Sequence, residues 1–219
     1  MTKPITNSTK RSRRSSKEIR QLLIDAAESV FSQNGYSNST VEQIFSEAGV
    51  TRSALYRHFN GKPDLFRHAV LRPFLEFLQT FTKTWESQVE SDWDGDFLMS
   101  ELLGTMYDSF EHHGATLLSI IQAMDNLETS AKEELYRELQ LFFDEMLVIC
   151  EREAKRGGWI PLEGLDMSMR ISFGSVAAMT LLSDIFLPSG TNRPSRENII
   201  QHLGALIFYG LRLQPPHNM

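Results

Sequence analysis

The chain has 219 residues, 41% of them hydrophobic, with a formal net charge of −6, which supports a sizeable core in one large domain or in a small one plus a larger one. The longest apolar candidate, Phe173 to Leu187, is broken by Gly174, Ser175, Ser183 and Asp184 and falls short of a bilayer span, and no signal-type apolar segment follows the N-terminal arginines, so a cytoplasmic protein without membrane association is expected. Cys150 is the only cysteine, which excludes an intramolecular disulfide and a multi-cysteine zinc site; within Leu147-Val148-Ile149-Cys150 it reads as a small buried hydrophobe.

The charge is segregated along the chain. Residues 1 to 72 hold 12 Lys/Arg against 6 Asp/Glu, a balance of +6, and the remainder carries −12. A basic end on an acidic body suits a localised anion-binding surface that keeps the rest of the molecule away from a polyanion. The first 14 residues place Lys3, Lys10, Arg11, Arg13 and Arg14 among Ser, Thr and Asn, and are expected to form a disordered basic arm. Such an arm is either a solubilising tail or a segment that follows phosphates or enters a minor groove.

Ser15 and Glu18 have capping-box spacing and open a helix whose apolar residues Ile19, Leu22, Leu23, Ala26, Ala27, Val30 and Phe31 recur at helical intervals, with Gly35 as its stop. Lys17 and Arg20 at its polar end either face solvent or touch a phosphate. The stretch from Thr40 to Lys62, TVEQIFSEAGVTRSALYRHFNGK, then predicts two short helices around a tight turn. Thr40 and Gln43 repeat the capping-box spacing, Ile44 and Ala48 share a face, and Gly49 accepts the turn while Val50 plugs the angle between the helices. Thr51 caps the second helix, where Leu55 and Phe59 face inward and Arg52, Ser53 and Tyr56 face outward. Helix, glycine-containing turn and helix is the helix-turn-helix arrangement, whose second helix enters a DNA major groove by its N-terminal end.

Those residues resemble the DNA-binding signature of the tetracycline-repressor (TetR) family: the Thr40 to Ile44 helix start, Ala48-Gly49-Val50, Leu55-Tyr56, His58-Phe59, and Lys62 followed by the apolar Leu65. Phe45 departs from the pattern, which usually has a small alanine there, and bears on how the two helices cross. The resemblance covers about the first third of the chain. It implies an all-α protein with an N-terminal three-helix helix-turn-helix domain followed by a larger helical bundle for effector binding and dimerisation.

Each expected DNA contact has a physical task. Arg52 can donate two hydrogen bonds to a guanine edge or fall back on a phosphate, Ser53 can bond to either, and Ala54 can rest against a thymine methyl. Thr40 and Thr51 offer hydroxyls and backbone N–H groups at helix starts. Tyr56 and His58 match contact-bearing positions of the family, and Lys62, beside Pro63 at a helix start, matches a lysine that binds phosphate. The alternative role for Tyr56 is core packing, and for His58 contact and packing are balanced.

Beyond Lys62 everything reads as helix. Pro73 predicts either a kink or the junction of two helices. An aromatic stripe, Phe74 to Trp85, precedes a polar break at Ser91 to Gly95; a helix up to Phe110 is expected to stop at Gly114, a further one carries Leu117 to Met124, and a long one runs from about Ala131 to Arg156 before Gly157-Gly158. The last two helices, Leu165 to Leu187 and about Ser195 to Leu211, are apolar around much of their circumference and rich in small residues, which calls for partners on more than one side. A second copy of the chain is the simplest partner, and the resemblance implies a homodimer through these helices; Phe173, Val176, Met179, Leu182, Ile200, Leu203 and Ile207 are the candidate interface residues. Trp85, Met99, Met106, Phe110, Ile121, Met124, Phe142 and Met146 are either ordinary core or, as the resemblance implies, the lining of a pocket for a small hydrophobic effector.

Glu111-His112-His113 is the one cluster with metal-ligand chemistry, but adjacent helical residues diverge and no metal framework accompanies them, so no metal and no cofactor are expected. No Gly-x-Ser-x-Gly, phosphate loop or dinucleotide fingerprint points to an enzyme. The expected function is therefore that of a sequence-specific transcription regulator, a repressor released from a palindromic double-stranded DNA operator by its effector. The alternative is a DNA-binding architectural or partner-recruiting protein of the same fold with no effector. Residues 1–14, 15–62 and 63–219 are the expected arm, DNA-binding domain and effector-binding and dimerisation domain.

Overall fold

The computed structural model describes residues 14–89, 93–158 and 162–212, with side chains of the last stretch given as far as Ile207; the predicted arm lies outside these residues except for Arg14. All regular structure among them is helical. Helix α1, Ser16–Asn38, starts at the predicted box: Ser15 Oγ accepts from the Glu18 N–H at 3.2 Å, and the Ser15 N–H donates to Glu18 Oε2 at 2.6 Å. Leu23, Ala26, Ala27, Val30 and Phe31 form its buried face. Gly35, at φ 70°, breaks the helical backbone where the sequence predicted a stop, and a further turn carries the chain on to Asn38.

Helices α2, Val41–Glu47, and α3, Arg52–Tyr56, pack on α1. The helix that follows begins as α4, Lys62–Phe66, passes through a π-helical turn, Arg67–Leu71, and continues as α5, Arg72–Gln88. That turn answers the Pro73 question. The Arg72 N–H donates to the Arg67 carbonyl five residues back, and the widened ladder admits a proline, which has no N–H to give, without ending the helix. Phe66 locks the start of this helix to α1: its ring stands 5.2 Å from Phe31 and 4.9 Å from Tyr36, both edge-on.

Helix α6, Gly95–Ala123, runs through Gly114, where the sequence reading placed a break. The glycine serves packing instead: a Cβ there would stand 3.3 Å from Leu181 Cδ2 on α8, Leu165–Leu181. Helix α7, Thr129–Gly157, ends at Gly158 with φ 63°, and α8 stops at Leu182 rather than reaching Leu187, the remainder forming α9, Ser183–Phe186. Helix α10, Arg196–Arg212, packs on α6. Arg196 pins that packing with two bonds to Asp108 at 2.5 and 2.6 Å. The α1–α4 unit and the α5–α10 body share one continuous core.

Candidate functional site

The N-terminal unit offers one outward polar end. Thr40 Oγ1 accepts from the Gln43 N–H at 3.2 Å, and Gln43 Oε1 accepts from the Thr40 N–H at 2.8 Å, fixing the start of α2. Gly49 adopts φ 61° in the turn and Thr51 Oγ1 caps α3 by accepting from the Ala54 N–H at 3.2 Å. Ile44, Leu55 and Phe59 are fully buried, so Thr51, Arg52, Ser53 and Tyr56 are left exposed together. Arg52 stacks over the Tyr56 ring at 5.7 Å and lies 3.7 Å from Glu42. Phe45, half-buried, packs against the core and its carbonyl accepts from the Val50 N–H at 3.0 Å.

One expectation about this end changes. Ala54 is buried while Thr51, Arg52, Ser53 and Tyr56 are exposed, so its methyl is not on the open face. Lys62 stands at the start of α4 as predicted, but its ammonium sits 4.3 Å above the Tyr36 ring and donates to the Ser37 carbonyl at 3.3 Å; burial lowers its pKa. His58 is half-buried. One cation was missed, and a second, expected as part of the arm, is placed by the fold. Arg57 is exposed beside Tyr56, and Arg14 donates to the Gly49 carbonyl at 3.4 Å, which puts the root of the basic arm beside the helix-turn-helix turn. Arg57 was readable as a second basic residue on the same helix; the position of Arg14 follows from tertiary packing alone.

A second site lies inside the body. Helices α5, α6, α7 and α8 line a partly open apolar cavity of about 60 Å³. Of the eight predicted lining residues it brings together Trp85, Met99, Met106, Phe142 and Met146. Phe110 is buried behind this wall, against Phe173 at 4.9 Å between ring centroids. Ile121 and Met124 are half-exposed and do not line it. Fifteen helical residues from Met106 to Ile121 advance roughly 22 Å, beyond the reach of one cavity. Met169, Phe143 and Phe173 supply wall that the sequence did not single out, and Glu153, only 3% exposed, supplies a carboxylate. Cys150 is also in the wall, where burial, with Glu153 nearby, pushes its thiol pKa up to about 12, keeping it neutral.

The candidate interface residues divide similarly. Val176, Ile200, Leu203 and Ile207 are buried within their own chain, where α8 and α10 pack on α6, and Phe173 faces the cavity. Met179 is half-buried and Leu182 exposed. The open apolar surface of these helices comes instead from Met167, Ile171, Ile185, Phe186 and Leu206. Helical periodicity identified two-sided helices but not which side meets α6. Glu111, His112 and His113 form no group of three ligands that could hold a metal among the described residues; His113 lies against the Phe77 ring at 4.5 Å. No helix among the described residues is long and apolar enough to cross a membrane.

Comparison with known proteins gives this geometry a family. The profile described as "Bacterial regulatory proteins, tetR family" matches residues 23–69, from inside α1 to the π-helical turn. The HTH-type transcriptional regulator TtgW of Pseudomonas putida is 36% identical over 121 residues, 50% of this chain and 88% of that one. SrpR, an HTH-type transcriptional regulator of the same organism, is 37% identical over 120 residues, 49% of this chain but 55% of its own length. An HTH-type regulator of Staphylococcus aureus is 28% identical over 126 residues, 58% of this chain and 65% of its own. The chain thus spans less than two thirds of the length of the latter two. In fold, the TetR-family regulator PfmR of Thermus thermophilus superposes with TM-score 0.67 at 17% identity, over 87% of this chain and 99% of that one. The fatty acid degradation regulator FadR of Bacillus halodurans superposes with TM-score 0.65 at 19% identity, over 92% and 100%. With the signature helices in place, a matching profile over them and the same architecture throughout the body, the chain belongs to the tetR family of bacterial transcriptional regulators.

Proposed function

We propose that this protein is a homodimeric, sequence-specific DNA-binding repressor that leaves a palindromic operator when a small hydrophobic or aromatic effector enters the cavity of its body. In this reading residues 1–14 follow the DNA backbone, 15–62 read the operator, and 63–219 sense the effector and dimerise. The observation that carries it is one helix: the run from Lys62 to Gln88 starts at the foot of the helix-turn-helix and carries Trp85 into the cavity wall. A change in the cavity therefore has a rigid lever to the DNA-facing end. Arg52 reads a base edge from the start of α3, Ser53 assists, and Thr40, Thr51, Tyr56, His58 and Lys62 hold phosphates.

The effector acts by binding more tightly to a conformation in which the two recognition helices are wrongly spaced for the operator. A cavity of about 60 Å³ is smaller than the roughly 150 Å³ apolar cavity that admits benzene, so binding must open it. Four methionines in the wall, Met99, Met106, Met146 and Met169, give side chains that can rearrange to do so. Dimerisation uses the open face of α8, α9 and α10, where Ile171, Ile185, Phe186 and Leu206 are exposed. Two-fold symmetry then presents two recognition helices to half-sites roughly 34 to 36 Å apart.

The test is selection of binding sites from random duplexes with the purified chain, followed by measurement of the mass of the complex and of its release by small aromatic compounds. A palindromic consensus bound by an even number of chains, and released by at least one compound, is expected. Binding without sequence preference would sink the repressor reading, and sequence-specific binding that no compound relieves would sink the effector.

A further inference from the structure

The α1–α4 unit sets one carboxylate beside the side chains of its outward polar end. In the first turn of α2, Gln43 Oε1 folds back to accept from the Thr40 N–H at 2.8 Å, which leaves Glu42 outside the cap. Glu42 Oε1 lies 3.7 Å from Arg52 Nη1, and that guanidinium stands over the Tyr56 ring at 5.7 Å. This is the only lysine or arginine ion pair among the described residues of the unit. The two side chains are 59% and 65% exposed, and at 3.7 Å the pair is too long for a hydrogen bond, so the acceptors of one and the donors of the other stay open. An exposed pair of this kind adds little to stability. At an end that must approach a polyanion, a carboxylate is also a cost in every complex. A role in choosing between sequences accounts for its place.

We propose that Glu42 is a specificity-determining residue, accepting from the N4 amine of a cytosine while Arg52 donates to the guanine paired with it. This deepens the DNA-reading role given to Arg52 above and rests on it. The major-groove edge of a G·C pair presents two acceptors, guanine N7 and O6, followed by one donor, the cytosine amine. A guanidinium with a carboxylate 3.7 Å beside it is complementary to that order, donors first and an acceptor after. The edge of an A·T pair carries its donor between two acceptors and opposes it. The charge of Glu42 acts against all other sequences. On an unrelated duplex the contacts fall on phosphates, where the carboxylate meets only like charge and holds Arg52 back from the backbone. On the right site the same carboxylate receives a hydrogen bond. Glu42 thus widens the gap between specific and non-specific binding chiefly by weakening the non-specific side.

The test compares the full native chain with Glu42→Ala and Glu42→Gln on three kinds of DNA: the selected duplex, its single-base variants and an unrelated duplex. The selected duplex is expected to hold a G·C pair in each half-site at the position that Arg52→Ala relaxes. Glu42→Ala should lower the preference for G·C there about fivefold or more. It should also tighten the unrelated duplex about threefold or more at low salt. Glu42→Gln loses the charge but keeps an acceptor of similar reach, so it should tighten the unrelated duplex likewise while retaining more of the preference. Both variants should melt close to the native chain, as an exposed pair implies. Equal tightening on every duplex would make Glu42 a charge and nothing more, and unchanged affinities would place it off the DNA. Either result overturns the proposal, as does an A·T pair at that position. A native chain that prefers no sequence removes the repressor reading with it, and that outcome is seen without any variant.

Discussion

The two ends of this molecule are built by opposite rules. In the helix-turn-helix, short-range chemistry sets the geometry: two capping boxes, one glycine turn and a threonine cap fix the segments within a few residues of one another, and fully buried Ile44, Leu55 and Phe59 hold them to α1. In the body, the cavity joins residues as far apart as Trp85 and Phe173, and flexible methionines form much of its wall. A rigid polar end presents a fixed pattern of donors, whereas a soft apolar interior can adapt its volume. Recognition of a repeating polyanion calls for the first and accommodation of a small molecule calls for the second.

Substitutions can break or sharpen that contrast. The largest effect is expected at the junction. Phe66→Ala empties the space between Phe31 and Tyr36 and should cost roughly 3–5 kcal/mol of stability in chemical denaturation, with DNA binding lost in step. At the polar end, Arg52→Ala should remove about 1–3 kcal/mol of discrimination at one operator position, seen as flattened affinity across single-base variants. Lys62→Ala should instead weaken all sequences alike and lower the salt slope by about one. In the soft interior, Met146→Leu conserves volume and should cost less than about 1.5 kcal/mol in denaturation while narrowing the range of ligands that raise the melting temperature.

Two smaller effects bear on each end in turn. Thr40→Ala removes one half of a capping box and should destabilise by about 1 kcal/mol in denaturant, a local loss at an otherwise rigid end. In the body, burial against Phe77, with His112 adjacent, lowers the pKa of His113. The unfolded chain then binds the proton more readily, so the contribution of neutral His113 is full above the ordinary histidine range and falls away as pH drops through it. His113→Gln should flatten the acid side of a plot of melting temperature against pH. An unchanged plot would mean the ring is no less hydrated in the fold than in the unfolded chain.

The same contrast explains what the sequence disclosed. Capping and turn signals act within four residues, so Ser15, Thr40, Gly49, Thr51 and Gly158 could be read directly, and the all-α fold class with them. Where outcomes depended on tertiary neighbours, the reading failed in physically specific ways. Gly114 looked like a helix stop because nothing local announces that Leu181 needs the space. Val176 and Ile200 looked like interface because their helices are apolar on more than one side, and only packing on α6 decides which side is inner. Ile121, near the end of α6, and Met124, in the turn just beyond it, share composition with the cavity wall but not its position. Ala54 was placed outward by its neighbours in sequence, but its place on the helix sets it inward beside Leu55.

The π-helical turn at Arg67–Leu71 preserves the angular phase between the two ends. Each residue of a regular α-helix contributes roughly 100° of rotation and 1.5 Å of rise, so a residue added to the regular ladder would swing the helix-turn-helix about the α4–α5 axis. The widened turn takes up its extra residue within a single turn instead. Deleting one residue there should restore the ordinary ladder and leave the helix-turn-helix with nearly its present bearing on the body, whereas one residue inserted in the regular part of α5 would re-aim an otherwise intact reading head.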